Sequence, residues 1–98
     1  MSELLILSKL QDDIADDPRV TVWHISLYTS ILNIWQQSGF EKQIKVTRKI
    51  LMAKAHFAST STYHKCLNKL IELGYISYSP TYNCYKGSRI EILLADQE

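Results

Sequence analysis

Between Val46 and Gly74 the chain reads VTRKILMAKAHFASTSTYHKCLNKLIELG, two helical patterns with room between them only for a tight turn. Thr47 suits an N-cap, because its side-chain oxygen can accept from the first free backbone N–H groups. A short helix is expected from Arg48 to about Ala55, with Ile50 and Leu51, and then Ala53 and Ala55, turned inward. His56-Phe57-Ala58 makes the connection. The next helix opens on Ser59, Thr60, Ser61 and Thr62 and stops at Gly74, which tolerates the left-handed backbone of a C′ position. At about 100° per residue, Cys66, Leu67, Leu70 and Gly74 fall on the side of Tyr63 and define a buried face. Ser61, Lys65, Asn68 and Glu72 then face outward.

Working upstream, Leu4, Leu7, Leu10 and Ile14 recur three or four apart, a helical stripe over Ser2 to about Ile14 with Ser2 as N-cap. The run Leu4-Leu5-Ile6-Leu7 also reads as a strand. Asp12-Asp13-Ile14-Ala15-Asp16-Asp17-Pro18 ends the element, since the residue before a proline is pushed out of the helical region and carboxylates disfavour a helix C-terminus. Thr21 caps a second helix carrying Tyr28, Ile31, Leu32 and Trp35 on one face, with Gly39 as its stop. Gln43 to Thr47 alternates polar and apolar briefly, as a short strand does. Downstream of Gly74, Ile76 and Tyr78 alternate with Ser77 and Ser79, while Ile90, Ile92 and Leu94 alternate with Arg89, Glu91 and Leu93. Two strands flanking residues 80–87 make a hairpin with a long tip.

The expected fold class is therefore mostly α with a small β-hairpin. In order it runs helix, helix, short strand, helix, tight turn, helix, two-stranded ribbon, which is the plan of a winged helix-turn-helix. One domain over 1–98 is expected, divided into a helical pair (1–40), strand plus helix-turn-helix (43–74) and wing (75–94). No internal repeat or low-complexity linker argues for a second one.

Composition sets outer limits. With 98 residues, 46% hydrophobic and 21% charged, the chain buries only about two-thirds of its unfolded surface, leaving little room for a deep enzyme cleft. No apolar run nears the roughly 20 residues of a membrane span. Met1-Ser2-Glu3 lacks the basic flank of a secretory signal, so a soluble, cytoplasmic protein without a membrane partner is expected. Cys66 and Cys84 are too few for a disulfide framework and read as free thiols.

The net charge of +1 hides a strong segregation. Residues 42–89 carry Lys42, Lys45, Arg48, Lys49, Lys54, Lys65, Lys69, Lys86 and Arg89 against Glu72 alone, a net +8. The flanking segments carry −4 and −3. A basic block on an otherwise acidic chain is the footprint expected where a polyanion docks; scattered surface lysines are the commoner origin of such an excess.

In this plan the second helix of the turn motif enters the major groove with its first residues, here Ser59, Thr60, Ser61, Thr62 and Lys65. Short hydroxyls beside free backbone N–H groups bond phosphate oxygens or base edges. One of them also serves as an ordinary cap, and four in a row exceed that need. Lys69 follows Lys65 by one turn. Arg48 and Lys49 sit in the first turn of a helix, where cations oppose the macrodipole by some tenths of a kcal/mol; a nearby phosphate would explain them. At the wing, Lys86 and Arg89 flank Gly87 and suit contact with backbone phosphate. Tyr82 and Tyr85 could donate hydroxyl bonds, whereas Tyr75 and Tyr78 read as packing residues.

Enzyme readings find little support. Asp12, Asp13, Asp16 and Asp17 lack the Gly-centred loop of a calcium site and read as a solvated helix end. His24, His56 and His64 lack zinc spacing, and His64 and Cys66 point about 160° apart on a helix. No catalytic residue, metal ligand or cofactor site emerges. Trp23 and Trp35 read as core or interface anchors.

The runs Val46-Thr47-Arg48-Lys49, Ser61-Thr62-Tyr63-His64-Lys65-Cys66-Leu67, Leu73-Gly74-Tyr75-Ile76, Pro80-Thr81-Tyr82-Asn83 and Lys86-Gly87-Ser88, with the preceding His24-Ile25-Ser26-Leu27-Tyr28, Trp35 and Phe40, resemble a group of small winged-helix proteins of bacterial conjugative transposons and other mobile elements. The architecture is also similar to the N-terminal domains of plasmid and phage replication initiators. The resemblance spans about residues 20–94 and implies DNA binding without chemistry. The resulting expectation is a double-stranded DNA-binding transcriptional regulator of a mobile element. Paired half-sites require a homodimer, for which the first two helices, rich in Leu, Ile and Trp, offer an interface. The alternative is a winged-helix docking module for a replication or transfer protein that never reads DNA.

Overall fold

A computed structural model describes residues 3–79 and 88–93. The elements follow in the order α1 (Glu3–Ala15), α2 (Val22–Gln37), β1 (Ile44–Val46), α3 (Arg48–Ala55), α4 (Thr60–Glu72), β2 (Ile76–Ser79) and β3 (Ser88–Ile92). The strand reading of residues 4–7 is thereby set aside. The expected Ser2 cap, the hairpin tip with Tyr82, Cys84, Tyr85 and Lys86, and Leu94 lie outside the described residues.

Helix α2 is the hub, packing against α1, α3 and α4. Its Leu27, Tyr28, Ile31 and Leu32 are fully buried and Trp35 nearly so. From α1 come Leu10 and Ile14, from α3 Leu51 and Ala55, from α4 Tyr63, Cys66, Leu67 and Leu70, and from the strands Ile44, Val46, Ile76, Ile90 and Ile92, all in one hydrophobic core. Full burial of one such aliphatic side chain stabilises by about 1.5–3 kcal/mol.

The helices end as their sequences dictate. After α2, Gly39 takes a φ of 83° and its N–H donates to Gln36 O, while Phe40 N–H donates to Trp35 O. After α4, Gly74 takes a φ of 85°, with Gly74 N–H on Ile71 O and Tyr75 N–H on Leu70 O. Both are Schellman closures, which satisfy the last free carbonyls. Helix α3 ends the same way on His56, at a φ of 62°, where a β-carbon adds about 1–2 kcal/mol of strain.

The hairpin is only part of the sheet. Strands β1 and β2 both pair antiparallel with β3, in the order β1-β3-β2. Ile44, Lys45 and Val46 stand opposite Ile90, Arg89 and Ser88, and Ile76 to Ser79 stand opposite Ile92 to Arg89. The inward set Ile44, Val46, Ile76, Ile90 and Ile92 covers the core. Tyr78 and Ser88 join through their hydroxyls at 2.8 Å across the base of the hairpin.

Several expectations need correction. Ile50 is 49% exposed and Ala53 is exposed; with only eight residues, α3 turns inward the narrow stripe of Leu51 and Ala55. Of the two tryptophans expected in the core or at an interface, Trp35 is core, while Trp23 is 51% exposed with its ring 5.5 Å from that of Phe57 between centroids, so only the interface part of that expectation stays open for it. Asp17 is not a solvated helix-end carboxylate. Its side chain is 5% exposed and accepts from Arg19 Nε at 2.9 Å, Arg19 Nη2 at 2.7 Å and Tyr75 Oη at 2.7 Å. The α1–α2 loop is thereby tied to the start of β2.

Two outcomes follow for stability. The Tyr28 hydroxyl is buried with no hydrogen-bond partner among the described residues, and an unsatisfied buried hydroxyl costs free energy. Tyr28→Phe should leave stability unchanged or raise it by up to about 1 kcal/mol in urea denaturation, whereas Leu32→Ala should cost about 2–5 kcal/mol. The Arg19 guanidinium, then the Tyr75 hydroxyl, hold the Asp17 carboxyl well below its ordinary 3.8. A depressed carboxyl contributes stability that is complete above its unfolded value and lost as pH falls. Asp17→Asn should lower stability at pH 7 and flatten its decline below about pH 4.

Candidate nucleic-acid interface

The basic block sorts itself by partner. Lys54 Nζ donates to Asn33 Oδ1 at 3.0 Å, and Lys69, half-buried, lies 3.6 Å from the Glu72 carboxylate. Lys42, Lys45, Arg48, Lys49, Lys65 and Arg89 are all exposed and have no carboxylate partner among the described residues. Lys69, expected beside Lys65 as a contact, is thus partly neutralised by the one acid of its segment. Lys86 lies outside the described residues.

The opening turn of α4 divides its hydroxyls by role. Ser59 Oγ accepts from Thr62 N–H at 3.3 Å and is the N-cap. Thr60 and Ser61 are exposed and Thr62 half-buried, and none of their hydroxyls has a partner among the described residues. The same logic holds at α3, where Thr47 Oγ1 accepts from Ile50 N–H at 3.2 Å. Arg48 and Lys49 follow in a first turn that has no acid. Their positive charge adds to that of the helix N-terminus.

Tertiary structure joins these pieces at the β1–α3 junction. Val46 pairs with Ser88, Ser88 bonds Tyr78, and the Tyr63 hydroxyl of α4 lies within the electrostatic reach of both Tyr78 and Arg48. Burial pushes the Tyr63 hydroxyl up to about 12, Tyr78 adds to the shift and Arg48 opposes it. The first turn of α3, the start of α4 and the base of the hairpin thus share one neighbourhood. Ser61 and Lys65 occupy the exposed side of α4, away from Tyr63.

The sequence reading missed two contributors, Lys42 and Lys45. Lys45 stands directly opposite Arg89 across the β1–β3 pair, and both line an open hollow of about 380 Å³ with Glu41, Lys42 and Gln43. Like charges directly opposite on a sheet are destabilising. Only the charge count of residues 42–89 hinted at them; the cross-strand register that pairs them is not written in local periodicity.

Elsewhere the groups are structural. Thr21 N–H donates to His24 Nδ1 at 2.9 Å, so that nitrogen is the unprotonated one. Burial, then the Lys69 charge, lower the His24 pKa. Cys66 is free and buried, and burial raises its thiol pKa. Among the described residues no cluster of three His, Cys, Asp or Glu side chains could hold a metal ion, and no helix is long and apolar enough to cross a membrane.

Compared with known proteins, the chain matches no family model, no curated protein and no solved structure. The interface therefore stands on its own geometry.

Replacing Lys45 by Thr should raise stability by about 0.2–1 kcal/mol at low salt, because it removes one of two facing charges while keeping a strand-forming residue. Urea denaturation at rising salt should show the gain shrinking as the charges are screened.

Proposed function

We propose that this chain is a winged helix-turn-helix protein that binds double-stranded DNA, acting as a transcriptional regulator of a mobile element. The observation that carries the reading is the set of six exposed cations whose side chains have neither a carboxylate nor a hydrogen-bond partner among the described residues, distributed from just before β1 through the β1–α3 junction, α4 and β3. Element order and the β1-β3-β2 sheet support the architecture. In this reading α4 lies in the major groove. Thr60, Ser61 and Lys65 reach base edges, while Arg48, Lys49 and Arg89 hold backbone phosphates. Ser59 and Thr62 shape the first turn of α4 and contribute chiefly through its N-terminal N–H groups. The regulatory and mobile-element part of the proposal rests on the resemblance of the motifs.

A second reading is favoured by a different observation. Val22 is 72% exposed beside Trp23 at the start of α2, and Leu5 on α1 is 61% exposed. Exposed aromatic and aliphatic side chains of this kind anchor protein interfaces. They suit either a homodimer through the N-terminal helices or the docking of a replication or transfer protein.

Fluorescence anisotropy on a mixed-sequence duplex separates the readings. About five neutralised phosphates should give a slope of about −4 to −5 in log binding constant against log salt. Arg48→Gln should make that slope shallower by about 1. Lys65→Glu should abolish binding to the duplex while leaving the fold intact, since Lys65 is exposed and unpaired. No binding by the unaltered protein at low salt would leave the docking module as the function.

A further inference from the structure

The hollow beside β1 has a composition that the DNA reading of α4 does not require. Lys42, Lys45 and Arg89 line it with Gln43 and Glu41, leaving a net two positive charges around about 380 Å³ of open space. Lys45 and Arg89 occupy directly opposite positions of an antiparallel pair, where β-carbons stand about 4.5–5.5 Å apart and side chains leave the same face of the sheet. Both are exposed, and the neighbours Ile44, Val46 and Ile90 are buried on the other face. A lysine on a short edge strand has a sufficient purpose in blocking sheet-to-sheet association. Arg89 has no such purpose, because β3 is the central strand. Its like-charged neighbour costs stability, and among the described residues no carboxylate forms an ion pair with either side chain.

We propose that Lys42, Lys45 and Arg89 form a binding site for a phosphate group on the solvent face of the sheet. Arg89 supplies a planar fork that bonds two phosphate oxygens at once, and the lysines add point charges from either side. The phosphate oxygens accept from these cations, and the Gln43 amide in the same lining offers a further N–H donor. The Glu41 carboxylate, also in the lining, opposes an anion, and the three cations outweigh it. A DNA backbone diester and a terminal phosphate monoester share this chemistry, the first with one negative charge and the second with close to two. The site shares Arg89 with the duplex-binding reading, but it needs neither α4 nor a base contact.

The test is amide chemical-shift mapping of the full chain titrated with inorganic phosphate, with chloride exchanged to hold ionic strength constant. Saturable shifts at residues 44–46 and 88–91 are expected, and they should vanish in Lys45→Gln and in Arg89→Gln, each of which keeps its remaining spectrum. Shifts that do not saturate, or that persist in both variants, overturn the site. Two duplexes of one sequence, with and without a 5′-phosphate, then identify the source. Displacement of phosphate by both assigns the site to backbone diesters, displacement only by the phosphorylated duplex assigns it to terminal monoesters, and displacement by neither assigns it to a free small phosphate compound. Saturable phosphate binding without any duplex binding keeps this site and removes the DNA reading. Duplex binding without any response at residues 44–46 and 88–91 does the reverse.

Discussion

Everything in this molecule is arranged around the apolar face of α2. Leu27, Tyr28, Ile31 and Leu32 are fully buried, and three other helices pack on that one element. In a chain of 98 residues there is too little interior for two cores, so α1, α3 and α4 must share the same partner. The constraint fixes what remains outside. Once Leu51 and Ala55 of α3 and Tyr63, Cys66, Leu67 and Leu70 of α4 are turned to the core, Arg48, Lys49, Ser61 and Lys65 have only solvent or a ligand to face. Their exposure is a consequence of packing.

Two local devices adjust this framework. The Asp17 carboxylate, clamped by Arg19 and bonded to Tyr75, joins the α1–α2 loop to the chain just before β2, beside the apolar packing of Val20 and Tyr75 on the core. His56 takes a left-handed backbone at the end of α3, so the connection to α4 is held by tertiary packing, with Phe57 buried beneath it against Trp23 and Tyr63. The burial of Phe57, which stabilises by about 1.5–3 kcal/mol, offsets the strain there.

Charge and stability pull against each other on the sheet. Placing Lys45 opposite Arg89 and starting α3 with Arg48 and Lys49 are both unfavourable for the isolated chain. Unfavourable charge placed repeatedly around one junction is what an anionic ligand would relieve. The duplex-binding proposal and the phosphate site at the hollow rest on this common physical ground and share Arg89; the first adds Arg48, Lys49 and α4, the second Lys42 and Lys45.

The sequence by itself determined the helices, the caps at Thr47 and Ser59 and the buried face of α4, because those depend on contacts three or four residues apart and on the conformational freedom of Gly39 and Gly74. It also singled out Arg48, Lys49, Lys65 and Arg89, since charge excess and helix position are readable one residue at a time. Tertiary structure alone decided that β1 joins the hairpin through β3, that Lys45 faces Arg89 and that Asp17 meets Tyr75. Those pairs are more than forty residues apart. They depend on strand register and helix docking, which no local periodicity encodes. The Lys69–Glu72 pair, three residues apart on one helix, is by contrast a local contact that helical spacing makes legible.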